Sequence, residues 1–266
     1  MAIRWVYRKP QWGEQVEWHA LNMPRPVGEW WLNDNAGPLV TDASGGLNHG
    51  GFVGSPVWST NRDGSAISCA TNSDYVLTPG TLTTYSPYFT VVFCGSWNGI
   101  RPGGDDWTMP FRRGSDWSTG FAMLLNRGTS TTTCETRLYI NGNQTATYVP
   151  NGSEIGTDTH TWVALSNGQQ AEVWVDGMLK ASANWSNPVS SSSAAFGILQ
   201  PNASATWGYF GSCNYCLLFP EGMRRAQVEA LQGPWPIWQP TYYSFASAAT
   251  SALPAIMAHY RRLRSA

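Results

Sequence analysis

The chain has 266 residues, enough for one large β-domain or two small ones, and a formal net charge of −1. Only 12% of its residues are charged, and fifteen are tryptophan. A polar surface built from hydroxyls and amides suits protein or sugar contacts and argues against a nucleic-acid partner, while no run reaches the ~18 apolar residues of a membrane span. The charge is uneven. Arg4, Arg8 and Lys9 precede the first acid, Glu14, and Arg261, Arg262 and Arg264 follow the last, Glu229. The stretch between holds ten basic and seventeen acidic residues. Basic ends of this kind are either solvated tails or arms that dock on an acidic neighbour or an identical subunit.

Residues 1–26 read as an extended N-terminal arm. Trp5, Tyr7, Trp12 and Trp18 are spread among charges, and Pro24 and Pro26 close the segment. Its start, MAIRWVYRKPQW, lacks the apolar core of a cleaved signal.

From residue 27 to 219 the pattern is strands joined by turns. Phe89 to Phe93 (FTVVF) is the continuous β-branched and aromatic run of a central strand. Gly120 to Leu125, Arg137 to Ile140 and Thr145 to Val149 follow, with the hairpin signal Asn141-Gly142 between the last two. Thr161 to Ser166 and Ala171 to Val175 flank Asn167-Gly168, and Asp176-Gly177 turns the chain into Met178 to Ala181. Three hairpins so close together specify an antiparallel meander. Trp162 and Trp174 are expected on facing strands, filling the core between two sheets.

Residues 221–232 (EGMRRAQVEALQ) have the composition of a helix, stopped by Gly233 and Pro234. A Pro-Trp linker, 234–240, leads into a small-residue tail, 241–266, with the basic cluster at its end.

Five cysteines, Cys69, Cys94, Cys134, Cys213 and Cys216, make a poor disulfide framework. Cys213 and Cys216 form a lone C-x-x-C without a second ligand pair, so buried thiols are expected rather than zinc. On a regular strand, residues three apart point to opposite faces and cannot easily share one ion.

The order of these segments resembles the laminin-G-like, concanavalin A-like jelly-roll family. Trp30-Trp31-Leu32-Asn33-Asp34 followed by Asp42 to Gly50 (DASGGLNHG) is similar to its opening tryptophan strand and "D-x-S-G-x-x-N-x-G" turn. His160-Thr161-Trp162-Val163-Ala164 followed by Val173-Trp174-Val175-Asp176-Gly177 resembles its "H-x-W … v-D-G" hairpin. The 221–232 helix looks like its closing segment, and the Pro-Trp linker like versions found in phage. The resemblance implies an all-β, two-sheet antiparallel sandwich over 27–240, with a short helix after the last strand and extended arms at 1–26 and 241–266.

Related glucanases place carboxylates at alternate positions of one strand, and no such run is present. The nearest pair, Glu172 and Asp176, would stand ~13 Å apart at about 3.3 Å per residue. That exceeds the separations of about 5 to 9.5 Å used by glycosidases, so no enzyme activity and no catalytic residues are expected. Calcium, a habit of some relatives, finds its best place at Asp105-Asp106; the alternative is a solvated loop tip. Trp107 and Trp117 flank the basic pair Arg112-Arg113. Exposed, these four would meet a glycan or protein partner; buried, they are core.

Two functions are therefore expected. The first is a non-enzymatic virion structural protein, a capsid decoration or minor capsid or tail component of a tailed phage, released by lysis. It would attach to other virion proteins or identical subunits through Trp5, Tyr7, Arg8, Trp12, Arg261, Arg262 and Arg264. The alternative is a carbohydrate-binding adhesion module on a phage or bacterial surface.

Overall fold

In a computed structural model the described residues are 9–10, 14–16, 18–19, 21–61, 63–71, 73–79, 88–98, 107–114, 119–127, 134–151, 154–189, 195–199, 209–231 and 242–244. In chain order the strands are β1 (Glu14–Val16), β2 (Gly28–Trp30), β3 (Leu39–Val40), β4 (Gly50–Val53), β5 (Val57–Asn61), β6 (Gly64–Cys69), β7 (Tyr75–Leu77), β8 (Tyr88–Trp97) and β9 (Trp107–Arg113). They continue with β10 (Phe121–Arg127), β11 (Cys134–Ile140), β12 (Asn143–Tyr148), β13 (His160–Asn167), β14 (Gln170–Val175), β15 (Met178–Asn184), β16 (Phe196–Ile198), β17 (Gly211–Phe219) and β18 (Tyr242–Ser244). The helix α1 (Arg225–Glu229) is shorter than the 221–232 segment its composition suggests.

Two antiparallel sheets form the sandwich. One runs β15-β14-β13-β8-β17-β6-β5, with β2 also paired to β17, and the other runs β12-β11-β10-β9-β16-β7-β4-β3. The jelly-roll expectation holds, and Trp162 and the Val173–Val175 segment lie in adjacent strands as expected. Between the sheets, Trp30, Ile67, Phe89, Val91, Phe93, Phe111, Phe121, Met123, Trp162 and Phe196 form one apolar core. Phe89 stacks on Phe121 across the sheets with ring centroids 4.1 Å apart.

The first sheet is buried on its outer face too. Val92, Val163, Leu165, Trp174, Tyr215, Leu217 and Phe219 point away from the sandwich core, under Met223, Val228 and Leu231 around α1 and under Val16, Trp18 and Met23. The period-two rule explains this second layer, because β8 and β17 are buried at nearly every position and carry apolar side chains on both faces, as strands covered on both faces do. The two tryptophans expected to share the core are thereby separated: Trp162 lies between the sheets and Trp174 in the outer layer.

The hairpin motifs have structural roles. Asn141-Gly142 and Asp176-Gly177 adopt positive φ at both residues, at 51° and 77° and at 49° and 75°, which the two-residue turn requires. At the third hairpin the turn is Gly168-Gln169, and the Asn167 carboxamide oxygen accepts from the Gln169 and Gln170 amides. Asp176 also accepts from the Thr161 amide at 2.8 Å and meets His160 Nδ1 at 2.7 Å, tying the start of β13 to the β14–β15 turn. In the Asp42 turn one buried carboxylate accepts from the backbone amides of Glu29, Ser44 and Asn48 and from the Ser44 hydroxyl, each at 2.9 Å.

The segment read as an N-terminal arm has several docked points. Trp18 and Trp31 both donate their indole N–H to the buried Glu29 carboxylate, at 3.2 and 2.7 Å. Lys9, one of the cations expected either to be solvated or to dock on an acidic neighbour, is instead buried and donates to the Leu32 and Ser65 carbonyls and the Ser65 hydroxyl. Residues 14–16 pair with 242–244 of the tail.

Candidate functional site

Strands β11 and β12 have one face on the core and one face outward, whereas the described side chains of β9 and β10 are buried on both faces apart from the half-buried Trp107. Register decides which side chains face where. Phe111, Phe121, Met123, Leu125, Leu138 and Ile140 enter the core. Their strand neighbours Met109, Ala122 and Leu124 form a small separate apolar floor, with Trp107 and Tyr139 packed against it.

A row of larger side chains is fixed at that floor. Trp107 is half-buried, and the Arg137 guanidinium lies 4.4 Å over its ring. Arg137 pairs with Glu135 through a short hydrogen bond and donates to the Tyr139 hydroxyl at 3.4 Å. Tyr139 donates in turn to Gln144 Oε1 at 3.4 Å, and Gln144 Nε2 donates to the Thr147 hydroxyl at 2.8 Å. Burial by itself would lower the Arg137 pKa; the hydrogen bonds and charge of Glu135 and Tyr139 overcome that and hold it above its ordinary value. The guanidinium is thus a permanently charged, oriented group whose charge Glu135 balances.

Chemically this surface can stack, donate and accept, and Glu135 is engaged by Arg137. Other carboxylates are committed to structure: Glu172 accepts from the Trp174 indole, Asp176 binds His160 and Thr161, and Asp74 accepts from the Ser55, Ala70 and Thr71 amides.

Of the residues singled out in the sequence, Trp107 belongs to this row. Arg112 and Arg113 are buried, at 4% and 2% exposure, so neither offers its charge to a surface ligand. Trp117, the calcium candidates Asp105 and Asp106, and the attachment residues Trp5, Tyr7, Arg8, Trp12, Arg261, Arg262 and Arg264 lie outside the described residues. Among the described residues no group of three or more His, Cys, Asp or Glu side chains could hold a metal ion. A β-bulge between Cys213 and Tyr215 resets the strand, so Cys213 and Cys216 both face the inter-sheet core; the opposite-face expectation is corrected. Burial pushes both thiols well above their ordinary pKa.

Sequence reading missed Glu135, Arg137, Tyr139, Gln144 and Thr147. The signal was available in ETRLYI, where Thr136, Leu138 and Ile140 alternate with Glu135, Arg137 and Tyr139 at the strand period.

No family model matches the chain, and no curated protein matches it. Several solved structures share its fold. Domain 4 of AbnA, a GH43 extracellular arabinanase from Geobacillus stearothermophilus, in complex with arabinotriose, matches with a TM-score of 0.55 and 12% identity over 79% of this chain and 98% of that one. The binding domain of Paraclostridial Mosquitocidal Protein 1 matches at 0.61 and 11%, over 78% of this chain and 51% of that one. The receptor binding domain of botulinum neurotoxin type G matches at 0.57 and 10%, over 77% and 50%. The chain thus spans about half the length of the two toxin chains. At these identities the likeness is one of fold.

Proposed function

We propose that the chain is a non-enzymatic carbohydrate-binding module that holds a glycan against the outer face of β11–β12, beside Trp107 at the start of β9. The observation that carries this reading is the fixed row from Trp107 and Arg137 through Tyr139 to Gln144 and Thr147. Aromatic side chains give large rigid contact area at small entropic cost, and the tethered polar groups are already oriented, which lowers the cost of binding. The fold likeness to an arabinanase domain bound to arabinotriose and to two toxin binding domains supports it. A glycan array probed with the wild-type protein should give binding that Trp107→Ala and Tyr139→Ala each weaken at least about tenfold, about 1.4 kcal/mol, with unchanged circular dichroism. Binding that survives both substitutions would place the glycan elsewhere, and no binding to any glycan would sink the reading.

The virion reading is a second proposal, favoured by the ribbon that residues 14–16 and 242–244 form outside both sheets of the sandwich. A two-stranded ribbon has outer edges that a neighbouring subunit's strand can extend. Deleting residues 241–266 should leave a folded sandwich that no longer joins its assembly; normal incorporation of the truncated protein would end this proposal.

A further inference from the structure

On the outer face of the first sheet, away from the glycan face, four polar residues meet. The Lys9 amine donates to the Ser65 carbonyl at 2.7 Å and to the Ser65 hydroxyl at 3.0 Å. The Asn214 carboxamide nitrogen donates to the same Ser65 carbonyl at 3.2 Å. Amine and amide are therefore neighbours on one oxygen, separated by no more than those two bonds laid end to end. Asn214 is completely buried and Lys9 nearly so, at 0% and 8% exposure.

The amide is also held in one orientation. Asn61 Nδ2 donates to Asn214 Oδ1 at 2.9 Å, and Asn214 Nδ2 donates back to Asn61 Oδ1 at 3.0 Å. Asn61 Oδ1 further accepts from the Asp63 amide at 2.9 Å, which excludes the flipped arrangement of Asn61. The strap that carries Lys9 is fixed as well, because Asn33 Nδ2 donates to the Pro10 carbonyl at 2.6 Å and Lys9 itself to the Leu32 carbonyl at 3.0 Å.

We propose that Lys9 and Asn214 join in an intramolecular isopeptide bond that fastens the N-terminal strap to the central strand β17. The unprotonated amine adds to Asn214 Cγ. The carboxamide oxygen takes up the developing negative charge, which the Asn61 N–H already in place stabilises. One Nζ proton passes by way of the Ser65 hydroxyl to the departing Nδ2. The Cγ–Nδ2 bond breaks, the Nζ–Cγ bond remains, and one ammonia leaves. No oxidant, metal or other reactant is needed. The product keeps one N–H, which replaces that of Asn214 as the donor to the Ser65 carbonyl.

Burial supports the chemistry in two ways. It excludes the water that would otherwise compete for the amide. It also pushes the Lys9 pKa down to about 7, against the raising influence of Cys213, Cys94 and Asp34, so a large share of the amine is nucleophilic at neutral pH.

The intact mass of the purified full-length protein tests the bond directly. The expected mass is lower than that of the sequence by one ammonia, with a branched peptide joining Lys9 to Asn214 after proteolysis. Lys9→Arg and Asn214→Ala should each restore the full mass. Ser65→Ala should slow bond formation in freshly synthesised chain by on the order of 100-fold, as loss of a proton relay does. Full mass in the wild-type protein, or an ammonia loss that persists in Lys9→Arg, would overturn the proposal, and both outcomes are read whether or not a variant folds.

Discussion

Trp162 pairs with Val175 and Trp174 with Val163, so two tryptophans on adjacent strands stand on opposite faces of one sheet. Trp162 closes the inter-sheet core, and Trp174 supports the layer beneath α1. Trp162→Ala should cost about 3–5 kcal/mol of stability, as large-to-small changes in a closed core do. Trp174→Phe should cost less, about 1–2 kcal/mol, because a six-membered ring remains and only the pyrrole part of the indole and its 2.7 Å bond to Glu172 are lost. Urea unfolding curves of the two variants would check the order; equal losses would contradict the two-layer description.

The Asp42 carboxylate satisfies three backbone amides and one hydroxyl. Asp42→Ala would leave these buried donors without their acceptor, at about 1–3 kcal/mol each before relaxation. The expected result is a protein that unfolds or loses cooperativity in thermal melts. Ser44→Ala, which removes one donor from the same knot, should cost only about 1 kcal/mol.

Glu29 gives a pH signature. Burial raises its pKa to about 7 from 4.5, although the Trp31 and Trp18 indole donors pull the other way. The folded protein therefore holds this proton more tightly than the unfolded chain. Its contribution is fully present below pH 4.5 and is lost as pH rises through about 7. The loss is on the order of 3 kcal/mol. In Glu29→Gln this limb should vanish from a plot of urea midpoint against pH. If wild type and variant run parallel from pH 4 to 8, on the scale of a carboxylate titration, Glu29 is not the group responsible.

Gly95 sits where the bulge of β17 meets β8. A Cβ there would stand 2.1 Å from the Ser212 carbonyl oxygen and 2.9 Å from the Phe93 ring, and neither backbone nor buried ring can give way cheaply. Gly95→Ala should reduce stability by more than about 2 kcal/mol and disturb the strand pairing around Cys213. Amide hydrogen exchange of β8 and β17 would report it, and protection equal to wild type would count against this reading of the bulge.

The hairpin block was legible because Asn-Gly and Asp-Gly turns and period-two alternation are local signals, and the strands around Trp162 and Trp174 lie where those signals put them. The faces were harder. Whether Trp174 points to the core or outward depends on what covers the second face of the sheet, and that cover is Val228 and Leu231 near α1 together with Trp18, far away in sequence. The cysteine spacing misled because one bulge shifts the register of everything after it. At the row on β11 and β12, Trp107 was visible as an aromatic beside a glycine-rich loop. Arg137 and Tyr139 were hidden in an ordinary alternating strand, where only the tertiary fold shows that their side turns outward beside Trp107.

The pairing of β2 with β17 joins residues 28–30 to 216–218. On a ribosome, Trp30 has no partner at Cys216 until 186 further residues have been made. At about 5–20 residues per second that is a wait of roughly 10–40 seconds. Sheet closure of this kind also has a high contact order, which slows folding even for the finished chain. During that interval the Trp30-Trp31-Leu32 segment, buried in the folded protein, stays exposed. Folding yield should therefore depend on translation speed and on chaperones that cover this segment, more than on the stability of the sandwich once closed.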